Sequence, residues 1–254
     1  MDLGTVSSFR PARTRDDLTL SGGEVVVAGG TWLFSEPQPG VSGLVDLTTL
    51  GWEPVETLPD GTLRIAATCT VEQLVAAPWD GLADLARQAA DGLLMSFKVQ
   101  RLATVGGNVC LALPAGAMTS LLAGLGAEAV VWTPDGGERR EPVATLVRDV
   151  GVTSLAAGEV VRAFDVPPAA RLRRAAFRRT SLTTLGRSAA VVVGSGRTVT
   201  VTASTTRPVV LDAADLDAGL AAVDCWYDDA HGAADWRAAV TGLLAHDVAQ
   251  ELTA

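Results

Sequence analysis

The chain has 254 residues, of which 48% are apolar and 19% charged, with a net charge of −9. That composition fits an ordinary globular protein with a sizeable core, and the negative charge argues against nucleic acid, whose phosphates need a cationic surface. Three scattered cysteines (Cys69, Cys110, Cys225) and two histidines (His231, His246) argue against a disulfide framework, a zinc site, a Ser-His-Asp triad or an iron–sulfur cluster carried by this chain alone.

Residues 1–22 read as an extended lead-in, with no basic or apolar leader and nothing approaching the roughly 20 apolar residues of a membrane span. We therefore expect a cytoplasmic protein. Glu24-Val25-Val26-Val27-Ala28 is a short β-branched run that ends in Gly29-Gly30, a buried strand entering a tight turn. Gly43 to Leu47 is a second strand. Pro59-Asp60-Gly61 is a turn before a strand over Thr62 to Ala67. Thr70-Val71-Glu72-Gln73 spells a capping box, so a helix starts there and stops at Pro78. Leu82, Leu85, Ala86, Ala89 and Leu93 have helical spacing.

Thr104-Val105-Gly106-Gly107-Asn108 reads as a glycine loop that interrupts regular structure, and Pro114 as the start of a further helix. Ala129 to Trp132 is a strand running into the hairpin turn Pro134-Asp135-Gly136-Gly137. Glu159 to Val166 is another strand, and Pro167-Pro168 reads as a boundary. Strands follow near 175–179, 189–193 and 198–203, then helices near 213–223 and 234–251. Strands and helices mix without βαβ alternation, which favours an α+β arrangement. The divisions expected are 1–55, 56–167 and 168–254.

The two glycine pairs are the candidate chemistry. A pyrophosphate can be satisfied by main-chain N–H groups where no side chain blocks its approach, and glycine removes that block. Ala28-Gly29-Gly30-Thr31 offers such a bend with a hydroxyl beside it, and Thr104 to Asn108 offers a second with an amide. Neither matches the G-x-G-x-x-G or G-x-x-x-x-G-K-[ST] signatures. By themselves the residues reach only two backbone anion sites.

As an ordered pair they resemble the FAD-binding subunit of the molybdenum hydroxylases, the xanthine dehydrogenase and carbon monoxide dehydrogenase family. The motifs are A-G-G-[TH]-x-L, here Ala28-Gly29-Gly30-Thr31-Trp32-Leu33, and [AG]-T-[IV]-G-G-N, here Ala103 to Asn108. Val45-Asp46-Leu47, Pro114-Ala115-Gly116, and Leu155 to Val160 with Pro167 agree with the family as well, and together the likeness spans roughly residues 20–205.

The resemblance implies a two-subdomain FAD-binding fold of the PCMH/vanillyl-alcohol-oxidase type plus a small C-terminal α+β domain. It implies non-covalent FAD held by Val27, Ala28, Gly29, Gly30, Thr31, Trp32 and Leu33, by Thr104, Val105, Gly106, Gly107 and Asn108, and by Ala112 and Arg179. It also implies a relay. Electrons leave a molybdenum cofactor on one partner subunit, pass iron–sulfur clusters on a partner, and reach NAD or another acceptor through this flavin.

The chain departs from the family pattern at Ala117, where the family usually has Asp. It departs again at Val99-Gln100-Arg101, where it often has I-R-N, and at Thr183, in place of Arg. Two alternatives stay open: a flavin-free or weakly binding scaffold subunit, and a stand-alone flavin oxidase. Trp32 is either a flavin shield or a core aromatic. The five arginines between Arg171 and Arg179 are either a docking edge or a solvated strand. Cys110 reads as a small buried hydrophobe, and Trp226-Tyr227 as core or interface.

Overall fold

The computed structural model of the chain describes residues 3–254. Its first unit is a parallel three-stranded sheet of β1 (Ser8–Pro11), β2 (Glu24–Val27) and β3 (Gly43–Asp46), with β3 in the middle. The lead-in over 1–22 is thus not merely extended, since it contributes an edge strand. Gly43 makes this possible, because a Cβ there would lie 2.3 Å from Ser8 Oγ and 3.0 Å from Glu24 Cγ. Around it Arg10 reaches Glu24 with two bonds, Nε to Oε1 at 2.8 Å and Nη2 to Oε2 at 2.9 Å.

The second unit is an antiparallel sheet of β4 (Val55–Thr57), β5 (Leu63–Ala66), β6 (Glu128–Trp132), β7 (Glu138–Pro142) and β10 (Val160–Val166), in the order β4-β5-β10-β6-β7. A two-stranded hairpin, β8 (Val147–Asp149) and β9 (Val152–Thr153), precedes β10. The helices of this unit are α1 (Val71–Val75), α2 (Ala83–Gly92), α3 (Phe97–Gln100), α4 (Val105–Cys110), α5 (Ala117–Gly124) and α6 (Val143–Leu146). The capping box at α1 forms, with Thr70 Oγ1 accepting from Gln73 N and Gln73 Oε1 from Thr70 N. Asp165 on β10 takes two bonds of 2.7 Å from Arg64 on β5 and a third from Arg140 on β7, so three strands share one carboxylate.

The third unit follows the short α7 (Pro168–Arg171). It is the antiparallel meander β11 (Ala175–Thr180), β12 (Ala190–Ser195), β13 (Thr198–Thr202) and β14 (Val209–Asp212), with α8 (Leu216–Ala221) and the long α9 (Ala234–Thr253). The helix expected over 213–223 is shorter, because Ala213–Asp215 forms a 3-10 turn capped by Asp212. All six residues of β12 are buried, since helices cover both its faces. Glycine sets each approach. A Cβ on Gly124 of α5 would lie 2.4 Å from Val193, and one on Gly194 would lie 2.4 Å from Val248 of α9. The main core runs from the second sheet through α2 and α5 to Val191, Val193 and Ala203. The chain is α+β, as the mixture of elements predicts.

Two further local expectations fail. Thr104–Asn108 is the start of α4, not a loop, because Thr104 Oγ1 accepts from Gly107 N and caps it. The next helix opens at Ala117, not Pro114, because Leu113 to Gly116 close a turn first. No helix among the described residues is long and apolar enough to cross a membrane.

Candidate cofactor-binding cleft

A cleft of about 770 Å³ lies where the three units meet, within the usual size for a small-molecule or cofactor site. The end of β2 and its following bend (Val26 to Leu33) form one wall, and residues 103–104, 107–108, 110–111 and 113–116 form the second. Leu93, Leu94, Met95 and Val99 supply an apolar stretch, and Arg187, Ser188, Ala203, Tyr227, Asp229 and Arg237 close the third side.

The first bend is built for close approach. Gly29 lies against the backbone of the second wall, with an ideal Cβ only 1.8 Å from the Leu102 carbonyl oxygen. Gly30 has φ +65, the left-handed region, and turns the chain over Phe34. The Gly30 carbonyl accepts from Phe34 N at 2.9 Å, and the Trp32 carbonyl from Ser35 N at 2.8 Å. These bonds wind one helical turn. Among the described residues, no group accepts from the main-chain N–H groups of Ala28, Gly29, Gly30, Thr31, Trp32 or Leu33. Half-buried amides left over in this way are donors for an anion. Trp32 is 39% exposed and lines the cleft, so it is not a core aromatic.

The second glycine pair works differently. Val105 N donates to the Cys69 carbonyl, Gly106 N to the Ala67 carbonyl and Gly107 N to Thr104 Oγ1. The amides expected to hold an anion are therefore occupied by protein. Gly106 is a packing glycine, since its Cβ would lie 2.6 Å from the Ala67 Cβ. Thr104, Gly107 and Asn108 face the cleft, whereas Val105, Gly106 and Ala112 are buried behind the wall. Asn108 Oδ1 accepts from Met118 N at 2.9 Å and caps α5. Its NH2 group has no acceptor among the described residues, and the residue lines the cleft.

Arg179 does not line this cleft. Its guanidinium donates to Ser188 Oγ at 3.0 Å and to the Gly186 carbonyl at 2.9 Å, bracing the loop after β11. The neighbouring arginines disperse. Arg178 pairs with Glu251, Arg171 donates to the Gly61 carbonyl, and Arg173 and Arg174 are exposed. Ala117 is buried in α5 and makes no wall. Cys110 is not a core residue. It is exposed and lines the cleft. Asp229 and Arg237 escaped the sequence reading, and Tyr227, read there as core or interface, lines the cleft instead, because their meeting depends on the fold of the third unit.

An α+β chain of three sheets around a cleft with an amide-rich, glycine-cornered bend is the design of a dinucleotide-binding flavoprotein. Residues 8–169 match the family model described as the FAD binding domain in molybdopterin dehydrogenase, and the chain belongs to that family. Solved structures share the whole fold. The chain is similar to reconstituted CO dehydrogenase from Oligotropha carboxidovorans, with TM-score 0.82, 21% identity and 99% of each chain covered. It is also similar to quinoline 2-oxidoreductase from Pseudomonas putida 86, with TM-score 0.81, 18% identity, and 99% of this chain and 98% of that one covered. A third likeness is to carbon monoxide dehydrogenase from Hydrogenophaga pseudoflava, with TM-score 0.81, 18% identity and coverage of 98% and 97%. Among curated proteins none matches the sequence significantly.

FAD fits the residues present. The free amides of 28–33 suit a diphosphate, glycine leaves their approach clear, and the apolar stretch from Leu93 to Val99 suits a ring system.

Proposed function

We propose that this chain is the FAD-carrying electron-transfer subunit of a molybdenum hydroxylase. Partner subunits would hold the molybdenum cofactor and the iron–sulfur clusters, and NAD or another acceptor would take the electrons. Bound FAD supplies the redox chemistry, accepting electrons singly and releasing them as a pair. The protein's part is to bind, orient and shield.

Within this reading the Ala28–Leu33 amides hold the diphosphate, helped by the Thr31 hydroxyl. Thr104, Gly107 and the Asn108 amide line the opposite wall. Trp32 covers the bend from solvent. Val27, Val105, Gly106 and Ala112 act from behind the surface, and Arg179 shapes the loop that carries Arg187 and Ser188. We adopt the divisions 1–55, 56–167 and 168–254, each built around one of the three larger sheets. A cytoplasmic location accords with a role among soluble redox partners.

The observation that carries this reading is the row of amides without protein acceptors beside Gly29. Titration of the purified apoprotein with FAD tests it. A saturable change in flavin absorbance and fluorescence is expected, and its absence overturns the reading in favour of a scaffold subunit. Reduction of the bound flavin by NADH would identify NAD as the acceptor, and no reduction would point to another.

A further inference from the structure

The cleft's charged side chains sit on one wall. Among its described lining residues they are Arg187, Asp229 and Arg237, all from the third unit. Arg237, near the start of α9, is only 1% exposed. One of its arms donates to the Ala203 carbonyl and another to Asp229, and its guanidinium carbon lies 5.0 Å from the centre of the Tyr227 ring. Nε is buried and has no acceptor among the described residues. Gly232 leaves it room, since a Cβ there would lie 2.9 Å from Nε.

The arrangement is anchored to the second wall. Ala203 holds a left-handed φ of +65, and its N–H donates to the Pro114 carbonyl at 2.8 Å. A non-glycine residue pays for that conformation only where its neighbours hold it, and here Pro114 and Arg237 do so from either side. Arg237 thus ties α9 to the turn that leads into α5.

Burial depresses the pKa of this cation; among the described residues Asp229, 20% exposed, is its one carboxylate at ion-pair distance, and Asp228 adds a weaker attraction, so the compensating charge is more exposed than the guanidinium. The amides of 28–33, on another wall, are neutral and suit a diphosphate, whose charge is constant. The isoalloxazine end of FAD differs, because it gains negative charge when reduced, and charge placed near it tunes its electronics.

We propose that the Tyr227–Arg237 pair marks the isoalloxazine end of the cleft and that the buried guanidinium favours the reduced flavin over the oxidised one. The proposal rests on the FAD reading above. Arg237 is a positioning residue. It sets the Tyr227 ring in the wall and acts on the flavin through that ring and through its charge, which a low-dielectric site screens poorly.

The test is the midpoint potential of FAD bound to the full-length chain, measured by spectroelectrochemistry, with ADP affinity as a separate reading of the diphosphate wall. Arg237→Gln removes the charge and should lower the two-electron potential by about 30 mV, a tenfold weaker hold on reduced relative to oxidised flavin. Arg237→Lys should restore most of that shift. Asp229→Asn leaves the cation uncompensated and should raise the potential, which supplies the sign even if Arg237→Gln fails to fold. ADP affinity should be unchanged in all three. Bound flavin with the wild-type potential in both Arg237→Gln and Asp229→Asn overturns the proposal, as do shifts of the same sign. A wild-type chain that does not bind FAD overturns the reading of the cleft itself, and the proposal with it.

Discussion

The carbonyl oxygen of Leu102 occupies the space that a side chain on residue 29 would need, only 1.8 Å from where the Cβ of Gly29 would stand. Two segments more than 70 residues apart in the chain are thereby pressed together, and the cleft opens directly beside the junction. Gly29→Ala should force them apart. We expect a stability loss of about 1–3 kcal/mol, as for overpacked sites, and at least a roughly tenfold loss of FAD affinity. Gly22→Ala, which meets open space, is the control. Chemical unfolding and flavin fluorescence titration check both variants.

Asn108 joins the cleft to α5 by accepting from Met118 N. Asn108→Leu removes this cap and the NH2 donor. Loss of the cap should cost about 1 kcal/mol. Loss of one hydrogen bond to FAD should weaken binding about tenfold. Asn108→Asp should keep the cap but place a carboxylate beside the diphosphate, so it should recover stability without recovering affinity. Thermal unfolding without FAD and titration with FAD separate the two effects.

Asp165 is 5% exposed and is held by Arg64 and Arg140. Asp165→Asn leaves the Arg64 guanidinium, 21% exposed, without its bidentate partner. A destabilisation of about 3 kcal/mol is expected, read from the urea unfolding midpoint. The cleft lies on other elements, so FAD affinity under native conditions should be preserved.

Glu24 is the acid-sensitive contact of the first sheet. Arg10 and the Ser21 amide hold its pKa down to about 2, against an ordinary value of 4.5. A carboxylate depressed in the folded state stabilises it fully above the unfolded pKa, and that stabilisation fades as pH falls through the folded value. Wild type should therefore exceed Glu24→Gln in melting temperature at pH 6, and the gap should close progressively from about pH 5 towards pH 2. A gap that stays constant over this range would refute the assignment.

Local chemistry is what the sequence displays best. The capping box of Thr70 and Gln73 needs only four consecutive residues, and the apolar run of β12 follows from helices on both of its faces. Gly29 and Gly30 were readable as a bend because glycine has few other reasons to follow a buried strand. Strand β1 was not readable, since Ser8-Phe9-Arg10-Pro11 lacks β-branched residues and is held by β3 and by the Arg10–Glu24 pair. Helix α4 was hidden by two glycines, which disfavour helix; packing of Gly106 on Ala67 reverses the local preference. The likeness to a known family pointed to Arg179, but Ser188 and Gly186 take up its guanidinium. Tyr227 and Arg237 become neighbours of the cleft only through Ala203 and Pro114, a relationship no short window contains.

Because β12 lies between α5 and α9, the C-terminal third of the chain cannot be trimmed as an appendage. A protein ending after Val166 would bare the flank of α5 that rests on Val193, along with the Ser120 hydroxyl that meets Thr202. The same helix begins at the cleft, so the damage would reach the ligand. Limited proteolysis should accordingly find the junction at Pro167-Pro168 resistant, with any nicked product remaining associated or precipitating instead of releasing a soluble amino-terminal fragment.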